Sequence, residues 1–207
     1  MLHQRFSEAR KMRGTFGQII SPVINEVTPK QSFLIVCEGE ATEPEYFEGF
    51  RIKSVIVRGL GCNTESLVDQ AIKLKNNKYP GRDQYWCVFD RDSFPAQSFN
   101  NALAKARQSG FQVAYSNEAF ELWYLLHFDY LTSGLARRLY SEKLEGHLKH
   151  KYQKNSESMY EELFNKQETA IKNATTLLES YGSAHNPEKD NPCTNVHLLV
   201  KELRAQL

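Results

Sequence analysis

Between residues 33 and 115 short apolar runs alternate with amphipathic stretches, and that alternation admits few folds other than successive β-α units laid into a parallel sheet. The run Phe33-Leu34-Ile35-Val36-Cys37 is apolar at every position, so both faces of this first strand are expected to be covered and the strand to lie centrally. Val55-Ile56-Val57, Tyr85 to Phe89 and Phe111 to Tyr115 supply three more strands. Between them Leu67, Val68, Ala71 and Ile72, and later Phe99, Leu103 and Ala106, recur at helical spacing; the second stripe ends at Gly110, a residue suited to closing a helix. Thr42-Glu43-Pro44-Glu45 has the form of a capping box with Pro in its first turn, which predicts a short helix sending Tyr46, Phe47 and Phe50 inward. Asn117 is expected to cap another helix, carrying Phe120, Glu121, Trp123, Tyr124, Leu125 and Phe128.

Past residue 130 no strand pattern recurs, and helices are expected around 141–151, 157–181 and 194–206. The reading is therefore α/β: a mainly parallel, four-stranded, Rossmann-like sheet flanked by helices. A basic N-terminal arm (1–30, with Arg5, Arg10, Lys11, Arg13 and Lys30) precedes a core at 31–130, and a helical region at 131–207 packs on it. A chain of 207 residues buries enough surface to need no covalent staple. Its four cysteines, Cys37, Cys62, Cys87 and Cys193, have no C-x-x-C spacing and read as reduced thiols rather than a zinc knuckle. The N-terminus has no apolar signal core, and no run approaches the ~20 apolar residues of a membrane span, so a cytoplasmic location without membrane contact is expected. With 26 Lys+Arg against 25 Asp+Glu the formal charge is +1, which excludes global attraction to a polyanion and leaves only local patches.

In an open parallel sheet, ligands bind beyond the carboxyl ends of the strands. Those ends are acidic here. Strand one runs into Glu38-Gly39-Glu40, strand three into Asp90-Arg91-Asp92, and strand four into Ser116-Asn117-Glu118, with Glu121 one helical turn on. Gathered carboxylates repel each other unless a cation compensates, and all-oxygen donors favour Mg²⁺ or Mn²⁺. In Asp90-x-Asp92 the two carboxylates share one side of an extended segment and can reach one ion or a closely spaced pair. Such a centre can polarise a phosphoryl oxygen and generate a hydroxide, with Glu38 handling the proton. The competing reading is that each strand-end acid merely caps the following helix.

His127, on a helix rich in Trp and Leu, reads as a packing residue. His147 and His150 read as part of a solvated face. The window 143–154 is the most basic of the chain, and its Lys149, Lys151, Tyr152 and Lys154 are candidates for contact with a nucleic-acid backbone, a plain charged face being the alternative. Asn191-Pro192-Cys193-Thr194-Asn195-Val196-His197 is expected to open the last helix, capped by Asn191 or Thr194; exposed amides there can also hold a phosphate, which adds Asn191, Thr194 and His197 to the nucleic-acid candidates.

Four ordered motifs carry a resemblance: Ile35 to Phe47 around Cys37-Glu38-Gly39-Glu40; Val88-Phe89-Asp90-Arg91-Asp92; Ser116 to Trp123 with Leu125-Leu126-His127-Phe128; and Asn191 to His197. Together, over about residues 33–200, they resemble the RloB-like family of bacterial proteins. Two departures from its pattern stand out: Glu118-Ala119, where Pro is common, and Cys193, where Ser is common. The resemblance implies a Toprim-like core, similar to that of primases, topoisomerases and overcoming-lysogenization-defect nucleases. It implies Glu38 as the Toprim glutamate, Asp90 and Asp92 as the metal pair, and Glu43 and Glu121 as further acidic groups of the site. It further implies a Mg²⁺- or Mn²⁺-dependent nuclease cutting RNA, tRNA included, or DNA as effector of an anti-phage, abortive-infection system, often beside an ABC-type ATPase partner. Self-association is left open. The rival readings are a non-enzymatic regulator that binds an ATPase or a nucleotide, and an aspartyl-nucleophile phosphatase centred on Asp90.

Overall fold

The computed structural model describes residues 30–92 and 95–207; the expected N-terminal arm, save Lys30, lies outside them. Five strands form one sheet: β1 (Phe33–Cys37), β2 (Val55–Gly59), β3 (Gln84–Asp90), β4 (Gln112–Asn117) and β5 (Cys193–Thr194), in the order β2-β1-β3-β4-β5. The first four are mutually parallel and β5 pairs antiparallel with β4. The fold is α/β as expected, and β1 is fully buried between its two neighbours.

Strand alternation divides the core. Phe33, Ile35, Cys37, Trp86, Val88 and Ala114 face one layer, and Leu34, Val36, Cys87, Phe89, Val113 and Tyr115 face the other. Helices α2 (Thr64–Asn77) and α3 (Ala96–Gln108) cover the second face through Leu67, Val68, Ala71, Phe99, Leu103 and Ala106. The first face is covered by α1 (Thr42–Glu48), α4 (Glu121–Leu125), α5 (Arg137–Leu148), α6 (Met159–Leu163), α7 (Gln167–Ser180) and α8 (Val196–Arg204). Gly110, at φ +76°, closes α3 in the left-handed conformation that favours glycine. All four cysteines are unpaired. Among the described residues, no helix is long and apolar enough to cross a membrane.

Three local expectations are corrected. The capping box at Thr42 does not form: Ala41 is the N-cap, and the Thr42 hydroxyl instead donates to the Lys154 carbonyl at 2.9 Å. Asn117 does not cap a helix. It is still in β4, opposite Cys193, and its side-chain amide donates to the Asp190 carbonyl at 2.9 Å, so α4 starts only at Glu121. The segment 191–197 is not simply a helix start, because Cys193 and Thr194 form β5, which two residues cannot announce by periodicity.

That fifth strand continues through a side chain. Asn195 Oδ1 accepts the Tyr115 N–H at 2.6 Å and its Nδ2 donates to the Val113 carbonyl at 2.8 Å, so one buried amide satisfies two backbone groups of β4. Asn195→Ala orphans both, and an expected loss of about 2–4 kcal/mol follows from the cost of buried unpaired polar groups. Urea unfolding checks it; a loss under ~1 kcal/mol means water or a shifted loop takes the amide's place.

Candidate functional site

The strand order reverses direction between β1 and β3, and at such a switch point an open parallel sheet leaves a crevice beyond its carboxyl ends. Glu38 and Asp90 stand on its two sides. Glu38 extends the ladder by one step, its N–H donating to the Val88 carbonyl at 2.9 Å, and its Oε2 accepts the Asp90 N–H at 3.2 Å. Its Oε1 accepts the Thr64 hydroxyl at 2.8 Å, so the carboxylate is aimed by two bonds. Asp90 Oδ2 accepts the Phe120 N–H at 3.2 Å and an Arg137 guanidinium N–H at 3.0 Å; the Asp90 side chain is only 12% exposed.

Two further acids are held near the crevice by aromatic packing of their helices, Glu43 on its wall and Glu121 buried behind it. Tyr46 on α1 meets Phe120 and Trp123 edge-on at ring separations of 6.0 and 6.3 Å, and Tyr124 at 5.6 Å. This contact sets α1 against α4 and buries Glu43 and Glu121. Glu121 Oε1 accepts the Tyr152 hydroxyl at 3.3 Å and lies 3.8 Å from Lys154 Nζ. Gly39 makes room for Glu43: a Cβ built there would lie 2.2 Å from Glu43 Oε2. The resulting cleft, about 330 Å³, is lined by Glu38, Gly39, Glu43, Asp90, Asp92 and Arg137 together with the loop at 61–63.

The electrostatics record the crowding. Burial, then repulsion from Glu121 and Glu38, pushes the Glu43 carboxyl up to about 7. Asp90 is driven well above the usual carboxylate range by burial and by Glu43 and Glu121, against the pull of Arg137. Glu38 is raised by burial in spite of its Thr64 and Asp90 bonds, with Asp92 adding repulsion and Arg137 relieving it.

A hard divalent cation fits this donor set in chemistry and in charge. The facing side chains offer carboxylate oxygens, and their burial raises the cost of leaving the charge uncompensated. Among the described residues, however, no three His, Cys, Asp or Glu groups already stand as ligands around one point. The carboxylates are spread over the cleft, and Arg137 and Lys154 supply the cationic charge beside them.

The candidates from the sequence separate accordingly. Glu38, Asp90, Asp92, Glu43 and Glu121 come together. Lys149, Lys151 and Lys154 are exposed, as is Asn191. Tyr152, expected to face a nucleic-acid backbone, is instead buried, since its hydroxyl turns in to Glu121. Thr194 and His197, expected to contact phosphate, are also buried; the Thr194 hydroxyl donates to the Tyr115 carbonyl at 2.9 Å because it belongs to the β4–β5 seam. His127 packs as read, its Nδ1 at 2.9 Å from the Trp123 carbonyl. His147 and His150 pair with Asp129 and Glu162. Thr64 and Arg137 were missed. Thr64 carried a usable signal, since Asn63-Thr64 opens the helix after β2 and so faces the same end of the sheet; Arg137, 47 residues from Asp90, carried none.

The model of the family described as RloB-like protein matches residues 33–203. No curated protein and no solved structure matches the chain.

Proposed function

The chain belongs to the RloB-like family, and from that premise we propose that it is a Mg²⁺- or Mn²⁺-dependent phosphodiesterase of the Toprim type, cutting RNA or DNA. The observation that carries this reading is the convergence of Glu38, Glu43, Asp90 and Asp92 on the switch-point cleft, with Glu121 buried close enough to Glu43 and Asp90 to repel both. Anti-phage action in the cytoplasm beside an ABC-type ATPase rests on the family resemblance.

Glu38, Asp90 and Asp92 would hold the ion, with Glu43 and Glu121 completing the charge around it. When bound, a divalent ion there would lend positive charge to the phosphoryl oxygens and to the attacking water. Thr64 holds the Glu38 carboxylate in place, and Glu43, with a carboxyl poised to about 7, can take up or release a proton near neutral pH. The loop bearing Lys151 and Lys154 is tied to α1 and α4 through Thr42–Lys154 and Tyr152–Glu121, and the exposed Lys154, 3.8 Å from Glu121, with Lys149 and Lys151 also in water, can grip a nucleic-acid backbone. Incubating labelled tRNA and labelled duplex DNA with the protein, with Mg²⁺ and with EDTA, tests the reading. Cleavage of at least one substrate in Mg²⁺ alone is expected; intact substrates throughout, with an ABC-type ATPase partner and ATP also supplied, would sink it.

A further inference from the structure

Arg137 sits where a cation is wanted. Its guanidinium bonds Asp90 Oδ2 at 3.0 Å, its charge also bears on Glu38, and it lines the same cleft as Glu38, Glu43 and Asp92. Unlike Asp90, whose side chain is 12% exposed, the Arg137 side chain is 45% exposed, at the first residue of α5. A guanidinium on an exposed, rotatable stem can leave one oxyanion for another without refolding, and its planar fork suits a phosphate as well as a carboxylate.

Building on the phosphodiesterase reading, we propose that Arg137 is the placeholder cation of the site: it neutralises Asp90 in the metal-free molecule, competes with the divalent ion for that carboxylate, and once displaced bonds a non-bridging oxygen of the substrate phosphate. The two roles share one physical cause. Asp90 and Arg137 are bonded at 3.0 Å on the wall of one cleft, beside Glu38 and Glu43, so a cation displaced from Asp90 stays in the cleft that the substrate enters. Lys154 is less suited to this exchange, because it stands 3.8 Å from Glu121 and is 60% exposed, a weak surface contact.

The test pairs Arg137→Gln with the charge-retaining Arg137→Lys. Mn²⁺ titration calorimetry on the metal-free protein reads the competition, and anisotropy of labelled tRNA and labelled duplex DNA in Ca²⁺ reads the phosphate contact. Arg137→Gln should bind Mn²⁺ about tenfold tighter than wild type, the scale of removing one charge-assisted bond from the contested carboxylate, while Arg137→Lys stays closer to wild type. The same glutamine variant should bind the better of the two nucleic acids more weakly, with the salt dependence of binding reduced by about one phosphate contact. Equal or weaker Mn²⁺ binding by Arg137→Gln overturns the placeholder role and makes Arg137 a positioning residue for Asp90. Unchanged nucleic-acid binding overturns the second half. Wild type that takes up no Mn²⁺ at all overturns the phosphodiesterase reading itself, and this inference with it.

Discussion

Asp90→Asn is expected to remove measurable Mn²⁺ binding and to lower cleavage by about a thousandfold, the rate equivalent of the several kcal/mol that a divalent ion contributes to a phosphoryl transition state. Asp90 lines the cleft with Glu38 and Glu43, its carboxyl raised first by burial and then by Glu43, Glu121 and Glu38, and held by the Phe120 N–H and Arg137. An amide keeps its shape and can still accept both hydrogen bonds, but it cannot supply the negative charge that recruits an ion. Because the amide fills the same volume and keeps both acceptor bonds, the substitution should leave the protein folded, which circular dichroism and an unchanged unfolding midpoint would verify. Thr64→Val sets the scale from the other side. It removes only the hydroxyl that orients Glu38, and a loss of about 10–100-fold in metal affinity is expected, as for other groups that aim a ligand. If Asp90→Asn cleaves and binds Mn²⁺ as wild type does, the cleft is not the catalytic centre.

What the sequence made legible follows from how many residues repeat a signal. β1 and β3 announce themselves through uninterrupted apolar runs, and because strand ends in a parallel sheet share one rim, the sequence alone puts Glu38 and Asp90 at a common end. Glu43 came only through the family motif, as its buried position depends on Tyr46 locking α1 to α4, a tertiary contact. β5 was invisible, since two residues have no period and its ladder is finished by the Asn195 side chain. Tyr152 was misplaced for a related reason: basic composition marks a segment but not which of its side chains turn inward, and here the ring is buried while Lys151 and Lys154 stay in water.

Glu43→Gln should make the metal-free protein more stable at pH 8, by about 2–3 kcal/mol, while leaving it nearly unchanged at pH 5. The sign follows from the direction of the shift. The Glu43 carboxyl is raised from 4.5 to about 7, chiefly by burial and then by Glu121 and Glu38, so the folded state holds this proton more tightly than the unfolded chain does. Its contribution is therefore fully present below pH ~4.5 and is lost as pH rises through about 7. Asp90, raised in the same sense, steepens the fall, whereas an amide at position 43 carries no proton to lose and weakens the repulsion felt by Asp90. Urea unfolding of wild type and Glu43→Gln from pH 5 to 8 in EDTA should give a gap that is small at pH 5, opens as pH rises through the window between 4.5 and about 7, and levels off above it. Millimolar Mg²⁺ should close the gap at pH 8, because an ion bound only by the folded state restores the wild type's stability and the variant has one carboxylate fewer to offer it. Parallel curves in EDTA would mean that solvent already compensates Glu43, and the buried charge would lose its place as the force that draws a cation into the cleft.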